Sequence, residues 1–278
     1  SYQVRSNDDG FKMFPLVNKE VRPVAADAII SGTNFPDEMQ QNFILCNTIG
    51  YLGIKQYDLH RDGFEEKKYK SGEVWGTPAA ELIRSSDGNF RPTDAIFGED
   101  GALYIADWHN VIIGHMQHNA RDPLRDHVHG RIYRVTYPSR PLVTPAKVNG
   151  ESIPALLENL KLPEYRSRYR TRRELRGHAP AEVLPAVKAW AAQLDKQDPA
   201  YEHHLCEALW ATWAQNKPDA DLIAQLHLPS RQSFRLSDRP DVVHKTHPLR
   251  VHSKVFDPGK KPIGPTRSRQ AAANLHEV

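Results

Sequence analysis

Apolar and polar positions alternate in short runs over the first half of the chain, and the period then changes. Gln41-Asn-Phe-Ile-Leu-Cys-Asn47 and Gly101-Ala-Leu-Tyr-Ile-Ala-Asp107 are short apolar runs, each entered from a polar turn and left through Asn or Asp. Gly53-Ile-Lys-Gln-Tyr-Asp-Leu59 and Gly130-Arg-Ile-Tyr-Arg-Val-Thr-Tyr137 alternate as strands do when one face is buried. Arg61-Asp-Gly-Phe64 carries the residues of a hairpin turn. The first two runs lie about one propeller-blade length apart. This spacing predicts four-stranded blades around an axis, with residues 1–137 supplying roughly two or three of them.

Pro138-Ser-Arg-Pro141 opens a Pro-rich linker that runs to Gly150. Beyond it the period becomes helical. Ile153, Leu156, Leu157 and Leu160 form one stripe, and Val183, Leu184, Val187, Trp190 and Leu194 a second. Leu205, Ala208, Leu209 and Trp213 form a third behind Asp198-Pro199, and Leu222, Ile223 and Leu226 a short fourth. Consecutive amphipathic helices with short joints predict HEAT-like repeats over residues 151–228. Residues 229–278 are basic and Pro-containing with no sustained period, and are read as an irregular, disordered tail. The expected class is therefore β plus α, multidomain: a partial β-propeller, a linker at 138–150, the helices and the tail.

Composition narrows the function classes. The net charge is +3 and charged residues make up 26% of the chain, so no nucleic-acid partner is expected from charge alone. Two cysteines, Cys46 and Cys206, stand apart without a partner motif, and Cys-x-x-Cys-His is absent. No apolar run approaches the roughly 18 residues of a membrane span, and no signal peptide is visible.

The densest chemistry follows the 101–107 run. Asp107, Trp108 and His109 lead into His115, His118, Asp122, Asp126, His127 and His129. Imidazoles and carboxylates at this density can bind a metal, move protons or brace a loop. Asp107, His115 and His118 form the candidate metal set, since two histidines three apart share a face on one helical turn. His109, His115 and His118 are candidate general bases. Arg91 and Arg131 can grip carboxylates, or can pair with nearby aspartates. Asp94 can orient a ligand, Asp107 can close a turn through backbone N–H groups, and Trp108 can stack on a sugar ring or pack internally. Arg166, Arg168, Arg170, Arg172, Arg173 and Arg176 can form a basic face for nucleic acid or another anionic polymer. Because arginines at every second position wrap around a helix rather than forming one stripe, they are read instead as a solvated helix paired with Glu164, Glu174 and neighbouring helices, and His203-His204 as a pair too divergent to share one ion.

Phe90-Arg-Pro-Thr-Asp-Ala-Ile-Phe-Gly-Glu-Asp-Gly-Ala-Leu-Tyr-Ile-Ala-Asp-Trp-His-Asn110 resembles the membrane-bound dehydrogenase family of planctomycetes and verrucomicrobia. So do Ile113-Gly-His-Met-Gln-His118, Arg121-Asp-Pro123 and His129-Gly-Arg-Ile-Tyr-Arg134, and Tyr201-Glu-His-His-Leu-Cys-Glu-Ala-Leu-Trp210 resembles the helical segment of the same family. The resemblance implies a propeller like that of the soluble quinoprotein glucose and sorbosone dehydrogenases. It implies pyrroloquinoline quinone and calcium as cofactors, and a c-type haem domain in the full-length protein as electron acceptor. It also implies export to the periplasm and a sugar or alcohol substrate. The first blades and the haem domain are expected to lie outside this chain. Arg91, Asp94, Trp108 and Arg131 are then the expected cofactor contacts. The alternative is a non-catalytic propeller and solenoid module that binds glycans or proteins.

Overall fold

The structure is a computed structural model and describes residues 16–17, 24–61, 74–110, 122–123, 125–227 and 249–256. Among the described residues nine strands build two antiparallel sheets. In the first, β1 (Val24–Ile29), β2 (Phe43–Asn47), β3 (Gly53–Arg61) and β4 (Val74–Pro78) follow one another, and β5 (Ile83–Arg84) also pairs with β3. In the second, β6 (Pro92–Phe97), β7 (Leu103–Asp107) and β8 (Gly130–Thr136) are joined by β9 (Arg250–Phe256).

The period of two decides what each sheet buries. Along β7, Leu103, Ile105 and Asp107 face inward while Tyr104 and Ala106 are half-buried. The same alternation puts Ala95 and Phe97 of β6 beside them. Ile44, Cys46 and Ile54 from the first sheet, with Ile30 just past β1, meet Ala95, Phe97, Leu103, Ile105 and Val135 from the second in one core. The Phe35 and Phe97 rings pack edge to face, with centroids 5.2 Å apart. The chain turns between β6 and β7 through Gly101, at φ +77°, and a Cβ on the facing Gly32 would lie 2.2 Å from the Gly101 carbonyl oxygen. Glycine is therefore required on both sides of that contact.

This arrangement corrects the expected partial propeller. The described strands form two open sheets packed on a shared core, with no closed or propeller-like ring. The chain is a mixed α/β fold. Alternation specifies which residues of a strand face inward, but it is the same for sheets that close into a ring and for sheets that pack in pairs. The tail reading is corrected too: residues 250–256 form β9, paired with β8 from Gly130↔Phe256 to Thr136↔Arg250. Its alternation was hidden by the charges of Arg250, His252 and Lys254. The hairpin expected at residues 61–64 lies largely outside the described residues.

Among the described residues five helices follow: α1 (Ile153–Asn159), α2 (Tyr165–Gly177), α3 (Pro180–Ala192), α4 (Tyr201–Ala214) and α5 (Ala220–His227). Ser152 caps α1 by accepting the Ala155 N–H at 3.4 Å, and α3 starts on Pro180. The apolar stripes read from the sequence meet in a second core that includes Leu156, Val187, Leu205 and Ala208, joined by Leu175, but Trp213 of the third stripe is corrected: it is 61% exposed and lies outside that core. Glu207 of α4 is fully buried and is held by Arg168 and Arg172 of α2, with the Arg168 Nε 2.9 Å away. Burial would raise the Glu207 carboxyl, but hydrogen bonds from His203 and Arg172 and the charges of Arg172 and Arg168 outweigh it and leave it below the usual carboxylate range.

Polar contacts tie helices to sheets. Thr33 donates to Glu164, and Arg170 pairs with Glu99 in the β6–β7 turn. The Asn34 side chain accepts the Tyr137 N–H at 2.8 Å and donates to the Arg140 carbonyl at 2.9 Å, fixing the path of the chain as it leaves β8.

Candidate functional site at the exit of strand β7

Asp107 ends β7 on the inward row, so its carboxylate is buried, with a residue exposure of only 3%. Its Oδ1 accepts two backbone N–H groups, from Arg91 and from His109, each at 2.7 Å. The Trp108 N–H donates to the Arg91 carbonyl at 3.0 Å. These bonds hold the Asp87–Arg91 turn against the start of the loop after β7. The turn-closing role expected of Asp107 is present, and only one of its oxygens is used for it.

The other oxygen faces an imidazole. Asp107 Oδ2 lies 3.7 Å from His109 Nδ1, and Asp87 Oδ2 lies 4.0 Å from the same nitrogen. These distances are within electrostatic reach but too long for hydrogen bonds. Among the described residues, Asp107 Oδ2, His109 Nδ1 and Asn110 Oδ1 are buried polar atoms without a hydrogen-bond partner. Buried polar atoms are rarely left unpaired, so three close in sequence make this stretch a candidate site. The His109 backbone sits at φ +48°, a left-handed conformation uncommon for a residue with a Cβ. Such strain persists where its surroundings fix it, and it collects at functional sites.

Around this pair the surface is polar and aromatic. Trp108 is 40% exposed, and the Arg125 guanidinium lies over its ring at 4.9 Å. Arg131 Nη1 reaches Asp87 Oδ2 at 3.4 Å, and both side chains are part-exposed. Burial lowers the Arg91 guanidinium, an effect opposed by the charges of Asp107 and Asp87. The Asn110 amide donates to the Asp126 carbonyl at 3.3 Å. Asp126 in turn accepts the Val128 and His129 N–H groups, and these bonds hold its carboxyl down at about 2.

The structure thus brings together Arg91, Asp107, Trp108, His109 and Arg131. It leaves Asp94 apart: this side chain is exposed on β6 and its Oδ1 accepts the neighbouring Ala95 N–H at 2.8 Å. His115, His118 and Arg121 lie outside the described residues. Among the described residues no group of three or more His, Cys, Asp or Glu is placed to hold a metal ion. Asp126 pairs with His129, whose Nδ1 is 3.0 Å away. Two members of the cluster were missed in the sequence: Asp87 and Asn110. Asp87 was visible as a turn residue in Ser85-Ser-Asp-Gly88, where it accepts the Asn89 N–H at 2.9 Å. Nothing local signals that this turn folds against the β7 exit. An open cleft of about 370 Å³ lies elsewhere, between the β6–β7 turn and α2, lined by Glu99, Asp100, Tyr104, Arg166 and Arg170.

Residues 9–139 match a family described as a domain of unknown function (DUF7133). The match spans β1 to β8 and takes in all the residues gathered at the β7 exit. No curated protein and no solved structure is found to match the chain. No helix among the described residues is long and apolar enough to cross a membrane.

Proposed function

We propose that this chain is part of an oxidoreductase that acts on a CH–OH group of a sugar or alcohol, with the β7 exit as its site. The observation that carries the reading is the Asp107–His109 pair, a buried carboxylate oxygen 3.7 Å from an imidazole nitrogen, neither atom having a hydrogen-bond partner among the described residues. A carboxylate on Nδ1 fixes the ring and stabilises its protonated form, leaving Nε2 to take a proton. Contacts of this kind are often long before substrate arrives and shorten in the complex. The substrate hydroxyl gives its proton to His109 while the same carbon gives up a hydride, so the carbon is oxidised by two electrons. Trp108, with Arg125 over its ring, offers an exposed aromatic surface to a sugar, and Asp87, near His109 and paired with Arg131, can accept from a substrate hydroxyl. The sequence resemblance to the dehydrogenase family supports the same reaction class, an exported location and a c-type cytochrome as electron acceptor.

The acceptor implied by that resemblance is a carboxylated quinone, which when bound would take the hydride. Arg131 fits an anionic group, because its ion pair with Asp87 is part-exposed and such pairs are worth only about 0–1 kcal/mol. Arg91 is turned toward Asp107 and Asp87. Calcium takes roughly six to eight oxygens, and Asp107 spends one carboxylate oxygen on two amides, so Asp107 would supply at most part of a calcium shell.

A second reading, a binding module for glycans without chemistry, is favoured by the burial of Asp107 and its two backbone bonds, which suffice to brace a loop. Reduction of a redox dye by the full-length protein, with quinone and calcium added and a panel of sugars and alcohols, separates the two. Dye reduction with at least one CH–OH substrate supports the oxidoreductase. Sugar binding without turnover establishes the module instead.

A further inference from the structure

The arginines of α2 were expected to wrap around the helix, and the folded helix sorts them differently. At about 100° per residue, Tyr165, Arg166, Tyr169, Arg172, Arg173 and Arg176 fall within an arc of about 120°. The buried residues Ser167, Thr171 and Leu175 occupy the opposite side. Three arginines of the helix are committed: Arg168 and Arg172 hold Glu207, and Arg170 holds Glu99. Arg166, Arg173 and Arg176 have no carboxylate partner among the described residues, and Arg173 and Arg176 are exposed.

Aromatic rings are interleaved with these charges. Tyr165 is 50% exposed, and α4 adds Trp210 at 44% and Trp213 at 61%. The Arg172 guanidinium bridges the two helices, 5.7 Å from the Tyr165 ring and 5.4 Å from the Trp210 ring. Arg166 and Arg173 lie over Tyr169 at 5.5 and 5.9 Å. The result is a face on which Tyr165, Tyr169 and Trp210 are interleaved with arginines, of which Arg173 and Arg176 are exposed and hold no described carboxylate. Solvation alone explains the arginines but not Tyr165 and Trp210 left part-exposed beside them.

From this face we infer a second binding surface, distinct from the β7 exit and independent of its chemistry, that takes an acidic polysaccharide bearing carboxylate groups. Charge complementarity calls for an anion, and the planar fork of arginine pairs with carboxylates through two parallel hydrogen bonds. The rings call for a partner with flat apolar patches. Tyr165, Tyr169 and Trp210 already carry a guanidinium near the ring, so they offer at most one open side. A pyranose needs only one, through its C–H face. A single-stranded nucleic acid binds by successive base stacking along a basic groove, and here the stacking positions are shared with arginine.

The test is binding of the full chain to polygalacturonate, neutral dextran and oligothymidylate, followed by tryptophan fluorescence and by affinity electrophoresis. The expected result is saturable, salt-sensitive binding of polygalacturonate, with dextran at least tenfold weaker. The combined variant Arg166→Gln, Arg173→Gln, Arg176→Gln should weaken it at least tenfold with an unchanged thermal melt, because none of the three holds a described carboxylate. Trp210→Ala should weaken it severalfold by itself. Dye reduction at the β7 exit should not change in either variant. Absence of polygalacturonate binding, an unaltered affinity in the triple variant, or tighter binding of oligothymidylate would overturn the assignment.

Discussion

Asp107 serves two ends with two oxygens, and substitutions can pull them apart. Asp107→Ala removes the acceptor of two backbone N–H groups and should lower stability by roughly 3 kcal/mol in urea unfolding, in line with lost bonds to a charged acceptor. Asp107→Asn keeps an oxygen for those amides and should unfold within about 1 kcal/mol of the native chain, while losing the charge that faces His109. Equal destabilisation by both would argue against a divided role. Asp126 is a solvent-facing case: its folded carboxyl sits at about 2 against an ordinary 3.8, so its turn is supported above pH 3.8 and loses that support as pH falls toward 2. Carboxyl NMR titration should give a midpoint near 2 for Asp126, and a midpoint near 3.8 would contradict the amide cradle. Burial, with the charges of Asp94 and Asp27, pushes the Cys46 thiol up to about 12. Iodoacetamide at pH 8 should therefore spare Cys46 in the folded chain and reach the half-buried Cys206 first. At this scale the sequence was informative about Asp107, Trp108 and His109, because the strand period and the residue types sit in one stretch. Asp87 joins them only through the tertiary fold, so no local pattern could announce it.

Elements carry the next level of the argument. The helical stripes of α1, α3, α4 and α5 were legible because leucine, valine and alanine recur at the helical period. The α2 stripe was not, because its buried residues are Ser167, Thr171 and Leu175, two of them polar. What fastens α2 is ionic. Glu207→Gln leaves Arg168 and Arg172 packed around an uncharged group, and removing one partner of a buried pair costs on the order of 3–5 kcal/mol. Thermal unfolding should show a clear fall in midpoint, and an unchanged melt would mean that the pair is dispensable. β9 makes a complementary case. Ending the chain before Leu249 uncovers the β8 edge and removes Leu249 and Val251 from beside the core. An unpaired strand edge recruits other chains, so the shortened protein should aggregate where the full chain stays monodisperse in light scattering.

On the scale of the whole molecule, alternation in the sequence predicted strands correctly but not their assembly. The runs at 41–47 and 101–107 do become equivalent strands, β2 and β7, each second in its sheet. Their similarity suggested successive blades of a ring, whereas the sheets face one another across Ile44, Cys46, Phe97 and Ile105. How sheets meet depends on contacts distant in sequence, such as Gly32 against Gly101, which no periodicity records. The helices then lie against the β6–β7 turn through Glu99 and Arg170. Within that frame the His109 imidazole lies beside the buried Asp107 carboxylate at the exit of β7. The most direct measurement compares dye reduction by the full-length protein and its His109→Gln variant on the best sugar or alcohol substrate. Loss of a general base should cut kcat by about 10²–10⁴-fold with the fold and substrate binding retained. A variant that turns over at the native rate would contradict the account.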